Sequence, residues 1–105
     1  MILVYCACGS GEEADRIACR LVEEQLAACV NVIGPVRSHY RWEGKMECST
    51  ESLLAIKTES RLFDRVRTRI EELHSYDLPE VIAVPVVAGS ERYMAWVSGE
   101  LKTNE

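Results

Sequence analysis

No Cys-x-x-Cys pair occurs in this chain, although it holds five cysteines, at positions 6, 8, 19, 29 and 48. With an odd count and no zinc-finger spacing, a closed disulfide framework or structural zinc site is not expected, and reducing cytoplasm is the expected compartment. Nowhere do ~18 consecutive apolar residues occur, and Met1 is followed at once by the apolar run Ile2 to Cys8 without a basic leader. Neither membrane insertion nor secretion is therefore expected. Positive charge is also scarce. Twelve Lys and Arg stand against 17 Asp and Glu, a net charge of -5 that repels a phosphate backbone. The arginines at 61, 65, 67 and 69 lie close to Asp64, Glu71 and Glu72, so nucleic acid is a poor partner. No Ser-His-Asp order, Gly-rich phosphate loop or His-Glu-x-x-His pattern appears, which argues against an enzyme. A Cys6-His74 pair could in principle act as thiolate nucleophile and base.

What is present reads as one globular domain over residues 1–105, with 48% apolar and 28% charged residues and neither repeats nor a linker. Only Lys102 to Glu105 read as a loose end. Ile2 to Cys8 suits a strand buried on both faces. Ser10 with Glu13 matches a capping box. Ala14, Ile17, Ala18, Leu21, Val22 and Leu26 then form one apolar stripe of a helix over about 11–27. Two long strands follow, 29–42 and 46–58, the first interrupted by Gly34-Pro35, where a bulge or bend is expected. A second helix fits 60–74, with Pro79 forbidding continuation. Residues 81–87 read as another buried strand whose end leaves the ladder at Pro85, and Gly89-Ser90 caps a last helix carrying Tyr93, Trp96, Val97 and Leu101. The order strand, helix, strand, strand, helix, strand predicts an α+β, ferredoxin-like βαββαβ sandwich, with right-handed crossovers, helices on one sheet face, and an extra C-terminal helix.

The hairpin is too long for its domain. A compact chain of this length has a radius of gyration of ~13 Å and a diameter of roughly 33 Å, whereas 14 extended residues span ~46 Å. The excess is the tip around Tyr40 and Trp42, which share a face because strand side chains alternate. A two-residue Glu43-Gly44 loop would place Trp42 opposite Lys45 and His39 opposite Cys48. A type I turn with a Gly bulge would place Tyr40 opposite Met46, and is favoured here because Glu tolerates positive φ poorly. Two aromatics of ~150–250 Å² each then need cover. The strand could bend at Gly34-Pro35 and fold the tip back over its own domain, or Tyr40 and Trp42 could form an interface between copies.

The stretches "EEQLAACVNVIGPVRSHYRWEGKMECSTESLLAIKT", "ELHSYDLPEVIAVPV" and "YMAWV" closely resemble the CutA family, the divalent-cation tolerance proteins, and the match covers nearly the whole chain in one order. The resemblance implies a ferredoxin-like subunit, a homotrimer built through long hairpins, kinship in architecture to PII-type signalling proteins, and a link to copper and other divalent metals, without a defined reaction. It also implies ligands. Cys6 matches a cysteine at the end of the first strand that is proposed to bind copper in the family's bacterial copper-binding form. His74 matches the second of two adjacent histidines; Leu73 stands where the first would be, and Ser75 where proline is usual. Cys6 and Cys8 lie two apart on one strand, so their sulfurs point to the same face and with His74 could offer copper or zinc a partial shell. The competing reading is that both cysteines simply pack in the core and that His74 sits at the negative end of its helix. Cys29 and Cys48 read as packing residues and Cys19 as exposed. Two functions remain open: a copper-binding homotrimer of metal tolerance, or a trimeric interaction or PII-like signalling module linked to metals only indirectly.

Overall fold

The computed structural model describes residues 1–103; Asn104 and Glu105, part of the expected loose end, lie outside the described residues. The elements run β1 (Ile2–Cys8), α1 (Gly11–Glu23), β2 (Cys29–Trp42), β3 (Lys45–Thr58), a 3₁₀ turn (Ser60–Leu62), α2 (Phe63–Leu73), β4 (Ile82–Pro85) and α3 (Glu91–Glu100). The strands form one antiparallel sheet in the order β2-β3-β1-β4, the ferredoxin-like arrangement with an added third helix.

Alternation along the central strands builds the core. Ile2, Val4, Cys6 and Cys8 point to one face and pair across the ladder with Thr58, Ile56, Leu54 and Ser52. Ala14, Ile17 and Leu21 of α1 and Val66 and Ile70 of α2 join them in one buried cluster. Each Val, Leu or Ile among them contributes roughly 1.5–3 kcal/mol on leaving water. Arg69 of α2 grips Glu24, just past α1, through three contacts of 2.8–3.1 Å, tying the two helices together at the rim.

Three boundaries differ from the sequence reading. α1 ends at Glu23 rather than near residue 27. Gln25 turns left-handed at φ 59°, and its N–H reaches Val22 O while that of Leu26 reaches Leu21 O. This is a Schellman stop in a segment without glycine, with Leu21 and Leu26 both buried beside it. α2 stops at Leu73, leaving His74 extended at ψ 143°. β4 is four residues long and lies on the sheet edge, so it is exposed rather than buried: Ile82 is 55% and Val84 39% accessible. Pro85 closes its ladder opposite Ile2, as a residue without an N–H should.

The hairpin does outgrow the globule. β1 reaches only as far as Ser52 on β3, so Val36–Trp42 and Lys45–Glu51 pair with nothing but each other, and the long axis of the molecule is 44 Å against 27 and 22 Å for the others. A register shift separates the Ile33 and Val36 pairs, at Gly34-Pro35. The turn at the tip is the two-residue form, not the bulged one expected: Trp42 faces Lys45, Tyr40 faces Glu47 and His39 faces Cys48. Both central residues have positive φ, 51° at Glu43 and 80° at Gly44. Matching the right-handed twist of two long strands decides the turn type, and Glu43 is held in a conformation its side chain disfavours.

Candidate metal centre

β1 carries Cys6 and Cys8 to the helix-facing side of the sheet near its open end, and the chain leaving α2 passes over them. His74, the first residue beyond α2, falls there. The Sγ atoms of Cys6 and Cys8 and a ring nitrogen of His74 lie within 4.8 Å of one another, and all three residues are buried. Cys6 and His74 are thus brought together from 68 positions apart, with Cys8 completing a cluster of two soft donors and one imidazole.

The environment is closely organised. His74 donates its Nε2–H to the Ala7 carbonyl at 2.8 Å and accepts the Tyr76 N–H on Nδ1 at 3.0 Å. Those partners, one a pure acceptor and the other a pure donor, select the neutral Nε2–H tautomer. The ring therefore answers a strand carbonyl and the next loop, not the last carbonyls of α2 as a simple helix-end histidine would. Cys6 Sγ lies 3.9 Å from the same Ala7 oxygen. A hydrogen bond to Cys8, then burial and the charges of Glu80 and Glu13, push the Cys6 thiol well up, while that same hydrogen bond lowers Cys8 against its own burial.

Glu13 holds the loop in place. Its side chain is nearly buried, with Oε1 accepting the Gly9 N–H at 3.3 Å and Oε2 the Ser75 N–H at 2.7 Å, and Oε2 stands 3.8 Å from His74 Nδ1. Burial pushes this carboxyl up, but the hydrogen bonds it accepts from Ser75 and from the Gly9 N–H together hold it below the usual carboxylate range. The expected capping box is only half formed. Ser10 Oγ does accept the Glu13 N–H at 3.1 Å, but the carboxylate is spent on Gly9 and Ser75 instead of returning to Ser10.

On the other face of the sheet Tyr76 donates its hydroxyl to Glu51 Oε2 at 2.7 Å, and burial, then that bond, raise its phenol. Tyr76 and Glu51 form the inner wall of a cleft of ≈ 840 Å³, closed on the hairpin side by Tyr40 and Trp42 and on the loop side by Asp77 to Glu80. Tyr40 and Trp42 remain 42% and 50% exposed, so the rest of the chain does not cover them. Glu13, Glu51 and Tyr76 escaped the sequence reading. Glu13 carried only a capping signal, and the Glu51–Tyr76 pair has no local pattern at all.

The sequence matches the family model of the CutA1 divalent ion tolerance protein over residues 2–100. This chain belongs to the CutA family. It is similar to the divalent-cation tolerance protein CutA of Archaeoglobus fulgidus, 43% identical over 94 residues covering 90% of this chain and 91% of that protein. The chloroplastic CutA of Arabidopsis thaliana is 39% identical over 96% of this chain, which spans only 56% of that longer protein. Among solved structures, CutA1 from Oryza sativa superposes with a TM-score of 0.96 at 38% identity, covering 98% of this chain and 94% of that one. Cut A1 from Thermus thermophilus does so with a TM-score of 0.94 at 38% identity, covering 97% and 100%. As a CutA protein the chain is a divalent-cation tolerance protein by family, and no helix among its described residues is long and apolar enough to cross a membrane.

Proposed function

We propose that this CutA chain is a single-domain, non-catalytic, cytoplasmic protein that assembles as a homotrimer and binds copper or a similar ion weakly through Cys6 and His74. The observation that carries the metal reading is the meeting of two thiols and an imidazole within 4.8 Å in a buried pocket. When bound, the ion would gain soft sulfur donors from Cys6 and Cys8 and an imidazole from His74. Weakness follows from the same geometry, since both ring nitrogens of His74 already hold backbone partners and one must be released. Assembly is supported by apolar side chains left in water on the face away from α1 and α2, Ile33 at 45%, Ile82 at 55% and Val84 at 39%, and by the exposed Tyr40 and Trp42 at the tip.

Titration calorimetry under reducing conditions tests the site: a Cys6→Ser, His74→Gln double variant takes up one equivalent of copper fewer than wild type. Identical uptake by both would remove Cys6 and His74 as ligands. The second reading, an interaction or PII-like signalling module linked to metals only indirectly, is favoured by the satisfied state of His74, which as it stands needs no ion. Under that reading wild type and the double variant take up copper alike.

A further inference from the structure

The two-residue turn sets His39 directly opposite Cys48, with Sγ 3.8 Å from Nε2 and both residues exposed. Strand alternation puts Met46, two residues before Cys48 on β3 and 67% exposed, on the same face, while Tyr40 and Trp42 take the opposite one. One face of the hairpin thus gathers a thiol, an imidazole and a thioether. An ion with bonds of ~2.3 Å to sulfur and ~2.0–2.1 Å to nitrogen, at a near-tetrahedral angle, separates those two donors by roughly 3.5 Å. The 3.8 Å found here needs only a few tenths of an ångström of closure, which side-chain rotation supplies without moving the strands. The buried cluster is less ready, because its histidine must first give up a backbone hydrogen bond.

We infer that the hairpin carries a second metal site, separate from Cys6 and His74, in which Cys48 Sγ and His39 Nε2 hold Cu(I) and the Met46 thioether is the third donor. Thiolate and thioether together select the soft monovalent ion. Charge argues the same way. Arg37, opposite Thr50, and Arg41, opposite Met46, share this face and disfavour a bare dication, whereas Cu(I) on a thiolate forms a complex without net charge. Binding replaces the Cys48 S–H bond with an S–Cu bond and releases that proton to solvent; the copper enters as Cu(I) and leaves as Cu(I), so no electron is transferred.

The test is an anaerobic Cu(I) titration of the full chain against a colorimetric Cu(I) chelator, with a non-thiol reductant and in a Cys19→Ser background that removes the other exposed thiol. Loss of one Cu(I) equivalent in Cys48→Ser, with that equivalent retained in Cys6→Ser, supports the site. His39→Gln and Met46→Leu should each weaken that equivalent without abolishing it, and the His39 ring resonances should shift as it fills. Unchanged Cu(I) uptake in Cys48→Ser overturns the proposal. So does uptake at Cys48 that leaves the His39 resonances in place, because the ligand is then a lone thiol. Failure of the Cys6–His74 reading would show instead as an unchanged equivalent in Cys6→Ser together with His74→Gln.

Discussion

His74 donates its Nε2–H to the carbonyl of Ala7, the residue between Cys6 and Cys8, at 2.8 Å. One side chain therefore fastens the loop after α2 to the end of β1 and sits against the two sulfurs. Any ion entering there competes with that hydrogen bond, so metal affinity and local stability are linked through a single imidazole.

His74→Ala removes a fully buried ring and leaves the Ala7 carbonyl and the Tyr76 N–H without their partner. The expected cost is roughly 2–4 kcal/mol, from two orphaned groups at about 1–3 kcal/mol each, partly relieved by water. Urea denaturation measures it. A loss below about 0.5 kcal/mol would mean that the loop is held by Glu13 alone.

Glu13 gives the fold an acid sensitivity. Its carboxyl is held below the ordinary value of 4.5 in the folded chain. A depressed carboxyl contributes stability that is fully present above its unfolded value and lost as pH falls through the folded one. Wild type should therefore lose stability as pH drops below about 4.5, and Glu13→Gln should start less stable at pH 7 yet decline less over that range. Parallel pH profiles for the two proteins would show that the carboxylate is not the titrating group.

At the hairpin tip Glu43 occupies left-handed space at φ 51°. Glu43→Asn should stabilise the chain by about 1 kcal/mol, because asparagine tolerates that conformation where glutamate pays to adopt it. Thermal unfolding reads the gain. An unchanged or lower midpoint would favour the bulged turn in solution.

Tyr40→Ala with Trp42→Ala should weaken the proposed self-association, since aromatics buried at an interface dominate its energy. Sedimentation equilibrium at falling concentration is the measurement. A variant that keeps the same mass as wild type down to the lowest concentration would place the interface elsewhere, with the uncovered face around Ile82 and Val84 the next surface to substitute.

The order of elements, the shared face of Cys6 and Cys8, the cap at Ser10 and the overlong hairpin were all legible in the residues, because period, propensity and length are properties of neighbours in sequence. So was the kinship, which singled out Cys6 and His74. What the sequence could not determine was anything joined across it. Glu13 reaches Ser75 and Tyr76 reaches Glu51 over 62 and 25 positions. Gln25 and Glu43 take left-handed turns that neither residue type announces, since packing of Leu21 against Leu26 and the twist of two long strands outweigh a local cost of about 1–2 kcal/mol. Tertiary structure decided those points because the free energy that selects them comes from contacts that exist only once the sheet, both helices and the loop after α2 have closed on one another.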